Sequence, residues 1–181
     1  FDTGPATFTT VQEGQVWYND TSNVLKGFGK QGTGAWASGG ALTAMHSQGA
    51  GFGIQTAGVA AGGSPNSVNS NVATVEEYNG SAWTKVNNIS TARRSVGGMG
   101  TLTAGAIAGG MVTAASVLTE EYDGTSWAEG GALNVARRTY LEFAGTQTAG
   151  LTAGGEPGLA ITETYNGTAW SETADLNTAR Q

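Results

Sequence analysis

The sequence predicts an all-β protein built as an array of four-stranded antiparallel meanders, one per repeat. Three observations carry that expectation. A block of eight residues occurs three times; two further blocks follow it in fixed order; and glycine-containing turn pairs stand where hairpins need them.

The first block is Thr56-Ala57-Gly58-Val59-Ala60-Ala61-Gly62-Gly63. It returns at Thr103–Gly110 and at Thr148–Gly155, at offsets of 47 and 45. The second reads Glu76-Glu77-Tyr78-Asn79-Gly80-Ser81-Ala82-Trp83, then Glu120–Trp127 and Glu163–Trp170, with tyrosine five residues before tryptophan each time. The third is Thr91-Ala92-Arg93-Arg94, Val135-Ala136-Arg137-Arg138 and Thr178-Ala179-Arg180-Gln181. Trp36 and Thr43-Ala44-Met45-His46 hold the matching places of an earlier, degenerate copy.

Each element follows from local chemistry. Val72 to Tyr78 alternates apolar and polar residues, the pattern of a half-buried strand. Asn79-Gly80, Asp123-Gly124 and Asn166-Gly167 are strong hairpin signals, so tyrosine and tryptophan fall on adjacent antiparallel strands. Gly100-Thr101-Leu102-Thr103 lies between two small-residue strands and reads as another hairpin. Counting from the arginines, strand two ends at Gly-Gly, strand three carries the tyrosine and strand four the tryptophan. The expected units are Ala44–Val86, Ala92–Gly130 and Ala136–Glu172. Residues 1–34 form a separate hairpin or attachment segment, and 35–181 the array, with the start of another unit at its end. Length varies after Gly-Gly, at Ser64–Asn71, Met111–Ser116 and Glu156–Leu159, as in loops between fixed strands.

Composition narrows the function. Charged residues are 12% of the chain, about half the usual share, and the net charge is −6. No basic run exists to neutralise phosphates, so nucleic acid is not an expected partner. No apolar run reaches the ~18 residues of a membrane-spanning helix. There is no cysteine and a single histidine, His46, which leaves no thiolate chemistry, no cysteine-based zinc site and no credible nucleophilic triad. Glu76-Glu77 and Glu120-Glu121 are adjacent on a strand and point to opposite faces, so neither pair can serve as two glycosidase carboxylates. The chain is expected to be no enzyme and to carry no cofactor or metal.

These motifs resemble the kelch repeat of the β-propeller class: a Gly-Gly pair closing strand two, then a tyrosine and a tryptophan, then an arginine near the next blade. The resemblance spans about Trp36 to Gln181 and implies four-stranded propeller blades. The repeats are also similar to those of virion appendage proteins of marine bacteriophages. Gly14–Asn19 and Val24–Gly27, flanking Asp20–Asn23, resemble the short hairpin modules of phage tail fibres. Propellers have 4–8 blades, so three cannot close a ring. Further repeats beyond Gln181, or assembly with other chains as a homo-oligomer, are therefore expected.

Gly62, Gly63, Gly109, Gly110, Gly154 and Gly155 lack the lysine of a phosphate loop and are expected to serve sharp turns and close packing. Tyr78, Trp83, Tyr122, Trp127, Tyr165 and Trp170 could stack on sugars, but their recurrence in every unit points to packing between blades. Arg93, Arg94, Arg137, Arg138 and Arg180 could form an anion-binding ring; pairing with a strand-three carboxylate such as Glu77 or Glu121 is the expected role. Ser64, Pro65, Asn66, Asn69 and Asn71, in the longest variable loop, are the candidate binding residues. The expected function is that of a virion structural protein in a tail or fibre appendage. Its partners are other virion proteins and a host-surface glycan or protein. The alternative is a surface or secreted carbohydrate-binding protein.

Overall fold

The computed structural model describes residues 16–19, 24–27, 38–66, 70–138 and 143–180. The chain divides into two compact units, Phe1–Ser38 and Gly39–Gln181. In the first, β1 (Val16–Asn19) and β2 (Val24–Gly27) pair antiparallel, Val16 opposite Gly27 and Asn19 opposite Val24.

The second unit holds three four-stranded antiparallel meanders, with no helix among the described residues. The first sheet is β3 (Ala50–Ile54), β4 (Ala57–Ala61), β5 (Val75–Tyr78) and β6 (Trp83–Val86). The second is β7 (Gly97–Thr101), β8 (Ala104–Ala108), β9 (Thr119–Tyr122) and β10 (Trp127–Glu129). The third is β11 (Phe143–Thr146), β12 (Ala149–Ala153), β13 (Thr162–Tyr165) and β14 (Trp170–Thr173). Strands two to four and both hairpins of each unit fall where the repeats place them.

The hairpins between strands three and four put Tyr78 opposite Trp83, Tyr122 opposite Trp127 and Tyr165 opposite Trp170. Their turns are held by a side chain. Asn79 Oδ1 accepts from the backbone N–H of Ser81 and Ala82 at 2.9 and 3.0 Å, and Asp123 and Asn166 do the same in their turns. The paired rings lie 4.6–5.0 Å apart, centroid to centroid.

The first strands run beside one another, β3 next to β7 and β7 next to β11. Between the first two sheets lies a core of Ala50, Val59, Ala61, Val75, Ile89, Val96, Ile107 and Tyr122, with Phe52 and Trp127 against it. Between the second and third, Met99, Ala106, Ala108, Leu133, Tyr165 and Trp170 are buried. Alternation along each strand produces this. In the first sheet Phe52, Val59 and Glu77 share one cross-strand row and face the second sheet. Met99, Ala106 and Glu121 form the same row on the second sheet and face the third.

The receiving faces are hollowed by glycine. Phe52 lies over Gly98 and Gly105, where a Cβ at Gly105 would overlap its ring, and Met99 fills the same space over Gly150. Overpacked cores lose about 1–3 kcal/mol. Gly105→Ala is therefore expected to lower the unfolding free energy by about 1–3 kcal/mol in urea titrations, although its strand backbone accepts any residue.

Candidate functional site

Most of the residues that recur from unit to unit converge on the joints between sheets. The first carboxylate of each strand three is buried: Glu76, Glu120 and Glu163 are 0%, 4% and 0% exposed. A buried carboxylate needs donors on all sides, and these come from the segment that precedes the sheet's own first strand. Glu120 accepts from the backbone N–H of Ser90 (2.6 Å) and Thr91 (3.3 Å) and from Arg93 Nη1 (2.5 Å). Glu163 accepts from the N–H of Asn134 (2.8 Å) and Val135 (3.3 Å), from Asn134 Nδ2 (2.9 Å) and from Arg137 Nη2 (2.6 Å).

Both arginines are wholly buried, so neither is open to an outside anion. Ion pairing is the expected role, but the partner differs from the one expected. Arg93 and Arg137 meet Glu120 and Glu163, not Glu77 or Glu121. Strand alternation is the reason: the second carboxylate faces the following sheet. There Glu77 accepts from the Tyr122 hydroxyl at 2.6 Å, and Glu121 from that of Tyr165 at 2.7 Å.

The degenerate first copy also shifts by one residue. Thr43 and Ala44 donate their N–H to Glu76 at 2.8 and 2.6 Å, which makes them the counterparts of Ser90 and Thr91. His46 therefore stands in the place of Arg93, not of Arg94. Its Nε2 lies 3.4 Å from Glu76 and its Nδ1 2.8 Å from the Gly62 carbonyl. Arg137 Nη1 donates to the matching carbonyl of Gly154 at 2.9 Å.

The Gly-Gly pairs complete the joint. Gly62 and Gly63 have φ of 64° and 103°, the left-handed region where side chains are strained. The Gly63 N–H donates to the Arg93 carbonyl at 2.8 Å, and Gly110 and Gly155 donate to Arg137 and Arg180 at 2.9 and 3.0 Å. Two of the tryptophans also belong to joints. Trp127 Nε1 donates to the Asn87 carbonyl (3.2 Å) and Trp170 Nε1 to Thr119 Oγ1 (2.9 Å). Tyr122, Trp127, Tyr165 and Trp170 thus pack between sheets, whereas Tyr78 and Trp83 lie against each other within the first sheet.

Sequence reasoning missed two members of the joint. The tyrosine-to-carboxylate bond was signalled only by the doubled glutamate ahead of Tyr78 and Tyr122. Ile89 and Leu133, each 3% exposed, recur four residues before the arginine, and their N–H groups bond to Ala73 and Val117.

The variable loops lie just beyond the Gly-Gly pairs. Ser64 is 2% exposed, pairs with Ser47 as a β-bridge and donates to the Asn66 carbonyl at 2.6 Å. Asn71 accepts from Arg94 Nη1 and donates to the Val112 carbonyl, both at 2.8 Å, tying its loop to the next one. Pro65 is half-buried and Asn66 exposed, while Asn69 lies outside the described residues. The candidate loop is thus partly a tether. An open groove of about 370 Å³ forms instead among Met111, Thr113, Ala114, Ala115, Arg138, Glu156 and Pro157, with Arg138 ion-paired to Glu156.

Burial would raise the Glu76 carboxyl, but donors from Thr43, Ala44 and His46 outweigh it and hold the group below its usual range. Burial lowers the Arg93 guanidinium, against the pull of Glu120. Burial, then the bond to Glu121, push the Tyr165 phenol up from 10.0 to about 12, and Tyr122 is raised by burial and Glu77.

No protein-family model matches this sequence, and no curated protein is significantly similar to it.

Two outcomes are expected from the joint. Truncating one partner of a buried pair leaves the other uncompensated, so Arg137→Met should cost about 3–5 kcal/mol in urea unfolding, with partial recovery in Arg137→Met/Glu163→Met. The second outcome concerns pH. A phenol whose folded pKa lies above its unfolded value stabilises fully below the unfolded value, and that contribution fades as pH rises through the folded one. The unfolding free energy should therefore fall between pH 10.0 and about 12, less steeply in Tyr165→Phe, as read from urea titrations at stepped pH.

Proposed function

We propose that this chain is a kelch-type propeller segment of a virion structural protein, part of a phage tail or fibre appendage. Its sheets act as rigid blades that hold the loops after each Gly-Gly pair outward toward a host-surface glycan or protein. The observation that carries the reading is a division of labour. The recurrent Gly-Gly pairs, Tyr122, Tyr165, Trp127, Trp170 and the buried arginines are consumed by the joints, whereas the loops at Ser64, Met111 and Glu156 differ in length and sequence. The likeness of the repeats and of the Gly14–Gly27 hairpin to phage appendage proteins supports the virion setting. Weak loop contacts, multiplied over copies on one particle, would gain about 10²–10⁴-fold in avidity. Other virion proteins are the proposed partners of the amino-terminal segment.

The groove beside Arg138 and Glu156 favours a second reading, a surface or secreted carbohydrate-binding protein, because an open site with a cation and a carboxylate side by side suits sugar hydroxyls. Mass spectrometry and cryo-electron microscopy of purified particles separate the two. The chain is expected at the tail in stoichiometric amount. Recovery as a free monomer that binds a glycan array, with binding lost in Arg138→Ala, would replace the virion reading with the lectin one.

A further inference from the structure

The two joints share one lock, a bulky side chain over the glycine of strand two and a tyrosine-to-carboxylate bond, and among the described residues the receiving half on the first sheet holds neither. In the second sheet Gly98 and Gly105 receive Phe52, and Tyr122 donates to Glu77; in the third, Gly150 receives Met99, and Tyr165 donates to Glu121. Gly51 and Gly58 are the counterparts in the first sheet. Among the described residues, a Cβ at Gly58 would meet only its own sheet, the Ile54 carbonyl at 3.5 Å and the Tyr78 Cβ at 3.7 Å. Tyr78, half-buried, has no carboxylate at its hydroxyl among the described residues, whereas Tyr122 and Tyr165 are 0% and 2% exposed. The clasp that elsewhere trails the preceding sheet is already seated here, with Thr43, Ala44 and His46 on Glu76.

The third sheet is not the matching plug. Its outward row is Ala144, Leu151 and Thr164 where the other sheets have Phe52, Val59, Glu77 and Met99, Ala106, Glu121. A second copy would also bring its own trailing segment, ending at Arg180, to a Glu76 that is already clasped. We propose that the open face of the first sheet is an interaction surface for a further sheet of this repeat. That sheet presents a bulky apolar side chain from its first strand and a carboxylate from its third, which receives the Tyr78 hydroxyl. This inference rests on the joint geometry and holds whichever function is right.

The test supplies such a sheet within the full chain. A second copy of Val86–Glu129 is inserted between Ser38 and Gly39, so that its Met99 and Glu121 face Gly58 and Tyr78. Repeat arrays gain stability from each matched neighbour. The extended chain should melt above the native one. Tyr78→Phe should lower its midpoint by about 2–4 °C while leaving the native midpoint unmoved. Met99→Ala/Glu121→Thr in the inserted copy should erase the gain. In the native chain, Gly58→Leu should be tolerated within about 2 °C, while Gly105→Leu, which strikes Phe52, should cost more than about 4 °C. An extended chain that aggregates or melts with the native one overturns the proposal. So does a native Gly58→Leu as damaging as Gly105→Leu.

Discussion

A carboxylate buried between two sheets organises this molecule. Removing such a group from water costs several kcal/mol unless donors replace its hydration. Glu120 and Glu163 obtain those donors from backbone N–H groups and an arginine on the segment that leads from one sheet to the next. That segment must lie in one place for the charge to be tolerated. The same arginines offer their carbonyls to the Gly-Gly pair of the sheet behind. One short stretch of chain therefore fixes two neighbouring sheets at once.

The rest of the joint follows from strand alternation. Of two adjacent glutamates, one turns to the clasp and the other to the next tyrosine, so each carboxylate has its own task. Glycine on the receiving face lets the bulk of Phe52 or Met99 approach the backbone. His46 shows how far the clasp tolerates change. An imidazole replaces a guanidinium and still reaches both the glutamate and the strand-two carbonyl. The third sheet departs further, with Thr164 where a carboxylate stood twice before.

Most of the repeated residues are spent on packing, and the loops after the Gly-Gly pairs vary in length. There the second arginines act as tethers. Arg94 holds Asn71, and Arg138 holds Glu156, giving loops of different length a fixed footing. A fold of this kind can host many functions.

Much of this was legible in the sequence alone. Alternation and the Asn-Gly and Asp-Gly pairs set strands three and four, the recurrence of Tyr and Trp marked them as packing residues, and the doubled glutamates were assigned to opposite faces. These are local properties, written in spacing and turn chemistry. Which glutamate an arginine meets is not local. Arg93 lies 27 residues from Glu120, and only the stacking of sheets decides that the buried carboxylate, not its half-buried neighbour, faces the clasp. The one-residue shift that puts His46 opposite Glu76, and the diversion of Ser64 and Asn71 into structural bonds, were likewise decided by tertiary structure. Each depends on which backbone donors a distant carboxylate or loop finds within reach.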